Sequence, residues 1–164
     1  MTQIKSALAT VRDTLIEGVA LVAVSKTKPV ELLQEAYEAG QRDFGENKVQ
    51  EMALKAEAMP KDIRWHMIGH VQTNKIKYMA SFVHLVLGGD REIVLKELDK
   101  QAKKANRTIN CLLQVHIAQE ETKFGWSVDE LEAVLPNLSA YSNVKVCGLM
   151  GMASNTSDKE QVRN

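Results

Sequence analysis

The sequence predicts an α/β fold built on a parallel sheet, and three observations carry that reading. Short apolar runs alternate regularly with longer amphipathic stretches, the pattern of successive strand–helix units. The first run, Leu21-Val22-Ala23-Val24, is continuous rather than alternating, as expected of a strand covered on both faces. At 164 residues, with no low-complexity linker, the chain is long enough for one domain with a sizeable core.

Each element has its own justification. Ile4, Leu8, Val11 and Leu15 form a helical stripe, so residues 2–17 read as an opening helix. Strand one covers 20–25 and ends before Pro29, which cannot donate to a ladder. A helix follows over 30–39, with Pro29 in its first turn and Gly40 as its stop. Strand two is short, about 42–44, and Gly45-Glu46-Asn47 opens a helix to about residue 58, ended by Pro60. Strand three spans 63–68, with a helix near 73–80. Strand four spans 82–87. Asp90 reads as the N-cap of a helix to about 105, with Ile93, Leu95, Leu98 and Ala102 as its inner face. Strand five covers 110–117. Ser127-Val128-Asp129-Glu130 fits a capping box for a helix to about 138. Strand six covers 144–149, and residues from 157 on resemble the start of another helix.

Six βα units in a row leave two architectures, an open doubly wound sheet and a β/α barrel. No Gly-x-Gly-x-x-Gly follows the first strand, so the dinucleotide fold lacks its signature. A complete eight-unit barrel takes about 250 residues, or about 200 at the short end, which leaves room for two further units.

Lys+Arg and Asp+Glu balance at 21 each, so no global field attracts nucleic acid or an anionic membrane. No apolar run reaches membrane-spanning length, and the first residues lack the apolar core of a secretory signal. Cys111 and Cys147, both in expected strands, read as small core residues of a reduced, cytoplasmic protein. His66 and His70 fall on a strand and its exit without the glutamate of a zinc-protease motif, and neither reads as a metal ligand.

In α/β chains ligands bind at the carboxyl ends of strands. Lys26 stands at the end of strand one. A neutral lysine amine there can form an imine with an aldehyde or ketone, whereas the ordinary alternative is a solvated or carboxylate-paired charge.

Several segments together resemble the pyridoxal phosphate homeostasis family, whose domain is similar to the N-terminal barrel of alanine racemase. They are Ala23-Val24-Ser25-Lys26-Thr27-Lys28-Pro29; Gly40 to Glu51 with its Phe44-Gly45-Glu46-Asn47; and Trp65-His66-Met67-Ile68-Gly69-His70-Val71-Gln72-Thr73-Asn74-Lys75. Leu113-Gln114-Val115-His116-Ile117, Lys123-Phe124-Gly125 and Gly148-Leu149-Met150 follow in order.

The resemblance implies a (β/α)8 TIM-type barrel, truncated here after about six units, with an extra N-terminal helix. It implies that Lys26, not Lys28, holds pyridoxal 5′-phosphate (PLP) as a Schiff base. Asn47 would lie near the cofactor and orient the ring's phenolate oxygen, with a plain helix N-cap as its other reading. Lys123 matches a second lysine able to take PLP, or is a loop cation. Met150 would pack beside the cofactor or simply fill the core.

Two departures stand out. Leu87-Gly88-Gly89-Asp90 replaces the family's polar pair, which would loosen the strand-four exit and remove side chains. The family's serine-containing and Arg-Ile-Gly segments, which hold the phosphate and the pyridine nitrogen, match nothing in the chain.

The expected function is intracellular PLP homeostasis by a non-catalytic carrier. Small molecules (PLP, with amino acids) and transient contacts with PLP-dependent enzymes are its expected partners. The alternative is a racemase or lyase of the alanine racemase type, although Tyr37, Tyr78 and Tyr141 all fall in or beside helices. A six-stranded portion would also expose the edges of strands one and six and bind PLP poorly by itself.

Overall fold

Every expected strand pairs with the next one in sequence, and every pairing is parallel, giving a single six-stranded sheet of order β1-β2-β3-β4-β5-β6. The strands are β1 (Ala23–Val24), β2 (Asp43–Glu46), β3 (Arg64–Met67), β4 (Leu85–Gly89), β5 (Ile109–Val115) and β6 (Val144–Gly151). Helices α1 (Gln3–Asp13), α2 (Val30–Glu38), α3 (Val49–Ala58), α4 (Glu92–Lys104) and α5 (Val128–Val134) alternate with them. The computed structural model describes residues 3–117, 124–153, 157, 158 and 160. The helix expected from residue 157 falls largely outside these, as does Lys123.

The core lies between the sheet and its helices. Phe44 and Trp65, neighbours in the β2–β3 register, are buried with ring centroids 5.9 Å apart, and Trp65 shares a cleft with Ala53 and Ala56 of α3. Met52, Ile76, Leu95, Leu98 and Ile109 are fully buried, each worth about 1.5–3 kcal/mol of transfer free energy.

Several elements depart from the sequence expectation for identifiable reasons. β1 is only two residues long because the buried Gln41 amide replaces the ladder before it, donating to the carbonyls of Leu21 and Asp43 at 2.7 Å each. Arg12 of α1 fixes that amide by donating to its oxygen at 2.9 Å. β4 begins late because Arg107 satisfies the carbonyls of Ala80 and Val83, at 2.8 and 3.0 Å, which a longer strand would have offered to the sheet.

The segment Thr73–Tyr78 is a 3-10 helix rather than an α-helix, as suits so short a connection. On α4 the buried face is Val94, Leu95, Leu98 and Ala102. Ile93 is 58% exposed because it lies roughly 200° around the helix from Leu95. Pro29 is the N-cap of α2 rather than a first-turn residue. Ser127 forms its capping box with Glu130. Cys111 is buried, whereas Cys147 on the edge strand is exposed and not a core residue. No helix among the described residues is long and apolar enough to cross a membrane.

Candidate functional site

The carboxyl ends of the parallel strands converge on one end of the sheet, and Lys26 lies there in the turn that follows β1. Lys26 is exposed, as is Lys28. The residues on either side of Lys26 are held tightly. Ser25 is buried: its N–H donates to Gly45 O at 2.9 Å and its hydroxyl to Glu46 Oε1 at 2.6 Å. Thr27 adopts a left-handed backbone, φ 63°, and its N–H donates to Glu51 Oε1 at 2.7 Å. A β-branched residue rarely adopts this conformation unless its surroundings impose it.

Those surroundings are a buried ion cluster. Lys55 of α3 donates from Nζ to Ser25 O, Glu46 Oε1 and Glu51 Oε1, each at 2.7 Å. Its side chain is 7% exposed and that of Glu46 fully buried. Three acceptors satisfy the three donors of the ammonium, which is what makes a lysine tolerable there. The hydrogen bond from Lys55, helped by the Thr27 N–H, holds the Glu51 carboxyl below its ordinary range against a desolvation effect that raises it. Glu46 Oε2 is buried with no partner among the described residues.

Sequence reasoning missed all four members of this cluster: Ser25, Glu46, Glu51 and Lys55. The available signal was Glu51 and Lys55 four apart on α3, a spacing that usually marks an exposed helix pair.

Asn47 follows β2, half-buried and in register beside the Lys26 turn, since Val24 pairs with Gly45. It is not the helix N-cap, which is Lys48. Asn47 lines a cleft of about 280 Å³ with Lys48, Gln50, His70, Gln72 and Lys75, a cleft that Lys26 does not line. Gly69 lets Asn47 approach: a Cβ there would lie 2.9 Å from Asn47 O. Gly88 similarly admits the carbonyl of Gly69, which would be 2.7 Å from its Cβ. Gly88 and Gly89 are thus buried residues within β4 whose missing side chains let strand ends close together, and they do not loosen the exit.

At the β3 exit the side chain itself is fixed. His70 Nδ1 lies 2.7 Å from Asp90 Oδ2, and its Nε2 lies 3.1 Å from Arg91 Nη1. Arginine only donates, so Nε2 accepts and Nδ1–H donates to Asp90, which defines a neutral tautomer. Phe124 stacks on the ring, centroids 3.7 Å apart. Asp90 therefore serves His70 and is not the N-cap of α4, which is Arg91.

Further down the strands Asp43 binds His66 Nε2 at 2.8 Å and pairs with Arg64. Burial opposes its charge, but the hydrogen bonds from Arg64 and His66 outweigh it and lower the Asp43 pKa. Burial raises the Cys111 thiol to about 12, so it stays protonated and inert. Among the described residues no three His, Cys, Asp or Glu side chains gather as a metal site.

Met150 lies within β6, paired with Gln114, and is half-buried. Lys26 follows β1 and Met150 lies on β6, the two strands that end the sheet order. Lys123 lies outside the described residues. The structure therefore sets Lys26 and Asn47 on adjacent strand exits.

The whole chain, residues 1–164, matches the family model described as alanine racemase, N-terminal domain. It is 40% identical over 139 residues to a pyridoxal phosphate homeostasis protein of Synechocystis, spanning 84% of this chain and 64% of that protein. A protein of the same name from Aquifex aeolicus is 39% identical over 144 residues, spanning 87% and 63%. The chain thus spans somewhat less than two thirds of these relatives' length.

PipY of Synechococcus elongatus, at 35% identity, superposes with TM-score 0.93 without PLP and 0.88 with PLP bound, covering 98% of this chain and 76% of that one. An alanine racemase from Bartonella henselae shares the fold at TM-score 0.73 and 15% identity, covering 98% of this chain and 46% of that one. By its six parallel strands, its strand-exit lysine and its match from end to end, the chain belongs to the alanine racemase N-terminal domain family.

Proposed function

We propose that this chain binds pyridoxal 5′-phosphate through the amine of Lys26 and serves cytoplasmic PLP homeostasis, holding and releasing the cofactor without turnover. One observation carries this reading: Lys26 is exposed at a strand's carboxyl end while Ser25 and Thr27 on either side are fixed by hydrogen bonds. An amine that reacts with an aldehyde must be accessible and carried on a fixed backbone, and this turn supports both. The relatives' names and the PLP-bound form of PipY point to the same cofactor.

When bound, PLP supplies an aldehyde for an amine and a ring that withdraws electrons. Lys26 would hold the aldehyde end, and Asn47, one strand along, would offer an amide to a ring oxygen. Lys123 and Met150 enter this proposal only as residues matching the family's pattern, Lys123 as a second amine and Met150 as packing. PLP-dependent enzymes are the proposed recipients of released cofactor through transient contacts.

A racemase or lyase needs a placed acid–base pair, and three candidates among the described residues are engaged elsewhere. Tyr37 donates to Asp62 at 2.8 Å and Tyr141 to Glu92 at 3.0 Å. Both ring nitrogens of His70 are taken by Asp90 and Arg91. These contacts favour the carrier.

The test is the absorbance of the protein mixed with PLP, before and after Lys26→Ala, with borohydride labelling and peptide mapping. Loss of the lysine-bound band and of the label at residue 26 is expected. An unchanged spectrum in Lys26→Ala would remove this lysine from the role. Proton exchange at the α-carbon of alanine, catalysed by the PLP-treated protein, would replace the carrier with an enzyme.

A further inference from the structure

The buried cluster behind the β1 exit has more charge than packing requires. Lys55 and Glu46 are both taken out of water inside a core that apolar residues of similar size could fill, often with no loss of stability. The cluster is aimed, however. Every hydrogen bond from Lys55 ends on a residue that fixes the Lys26 turn: on Ser25 O directly, on Glu46, which holds the Ser25 hydroxyl, and on Glu51, which holds the Thr27 N–H. The cluster thus grips the residue before Lys26 and the residue after it, and leaves Lys26 itself exposed.

We propose that Glu51, clamped by Lys55, is a positioning residue for Lys26: its carboxylate holds the Thr27 N–H and so keeps the turn in the left-handed conformation that presents the Lys26 amine. This rests on Lys26 being the cofactor lysine. Two features of Thr27 support it. A β-branched residue at φ 63° is costly to maintain in so sparsely populated a backbone region, so something must hold it there. Its N–H meets a charged acceptor at 2.7 Å, and hydrogen bonds to ionised groups are roughly twice as strong as neutral ones. Lys55 in turn donates to the same carboxylate oxygen at 2.7 Å and lowers its pKa.

The experiment treats the protein with PLP and cyanoborohydride and maps modified lysines over time. The amine condenses with the aldehyde and water leaves; hydride then reduces the carbon–nitrogen double bond to a stable secondary amine. Lys28, exposed two residues away, is the internal reference on the same chain. In Glu51→Ala the Lys26:Lys28 labelling ratio should fall, by up to about a hundredfold, the scale on which a roughly 1 Å misplacement of a reacting group slows reaction. Glu51→Gln, whose amide oxygen can accept the same N–H, should restore most of that ratio.

An unchanged ratio in Glu51→Ala overturns the proposal. So does an equal loss in Glu51→Gln with the fold intact by circular dichroism, which would mean that charge and not the hold on Thr27 is what counts. Should Glu51→Ala fail to fold, amide hydrogen exchange in the parent protein decides, because an unprotected Thr27 N–H removes the clamp. The underlying reading fails differently: Lys26 would then show no preference over Lys28 in the parent protein itself.

Discussion

The exits of β1 and β3 stand at the same end of the sheet and use hydrogen bonds in opposite ways. At the β1 exit the backbone around Lys26 is tied to buried charges, and the lysine is left exposed. At the β3 exit the side chain is the thing tied: His70 is gripped by Asp90, Arg91 and the Phe124 ring. A reactive group needs a rigid base and a free tip, whereas a structural group spends its hydrogen-bonding capacity on its neighbours. By that measure the lysine fits the proposed reactive role and the histidine joins strands.

Breaking the first exit should cost most. Lys55→Met strands the buried Glu46 carboxylate and should destabilise the protein by about 3–5 kcal/mol in chemical denaturation. Adding Glu46→Leu should recover much of the loss, since the orphaned charge is then gone. A smaller effect is expected at the second exit. Asp90→Ala leaves the part-buried His70 N–H without its acceptor and should cost about 1–3 kcal/mol in the same measurement, with no change in Lys26 labelling. A fall in labelling would mean that the two exits are coupled after all.

Acid probes a carboxylate that lies at neither exit. The Asp43 pKa is lower in the folded protein than its usual 3.8, so its contribution is fully present above the unfolded value and is lost as pH falls through the folded one. Asp43→Asn should therefore flatten the low-pH limb of the stability curve and leave the neutral limb parallel to the parent. Lys26→Ala should move stability least, within about 0.5 kcal/mol, because an exposed side chain makes no structural contribution. A larger loss would show that Lys26 helps to hold the fold, which contradicts its role as a free tip.

Much of this was legible in the amino-acid order, and what was not has a common cause. All six strands, their parallel sense and the Ser127–Glu130 cap follow from periodicity and local capping chemistry, which act over a few residues. Lys26 was legible because a strand, a lysine and a proline within nine residues mark a strand exit. Boundaries failed where a distant side chain replaced a local bond, as Gln41 does before β1 and Arg107 before β4. Asp90 looked like a cap because Asp before a helix usually is one, yet β3 brings His70 to it across twenty residues. Gly88 and Gly89 looked like looseness and are instead points of closest approach, which a single strand's sequence cannot reveal.

The order of residues alone settled the sequence of strands and helices, their parallel sense and the lysine most worth testing, because these depend on patterns within one segment. The tertiary fold decided which charges are buried and what they hold. Ser25, Glu46, Glu51 and Lys55 come from three segments, and only the packing of α3 against the ends of β1 and β2 removes water from between them. Burial is a property of the assembled surfaces, and it is burial that turns an ordinary helix pair into a clamp.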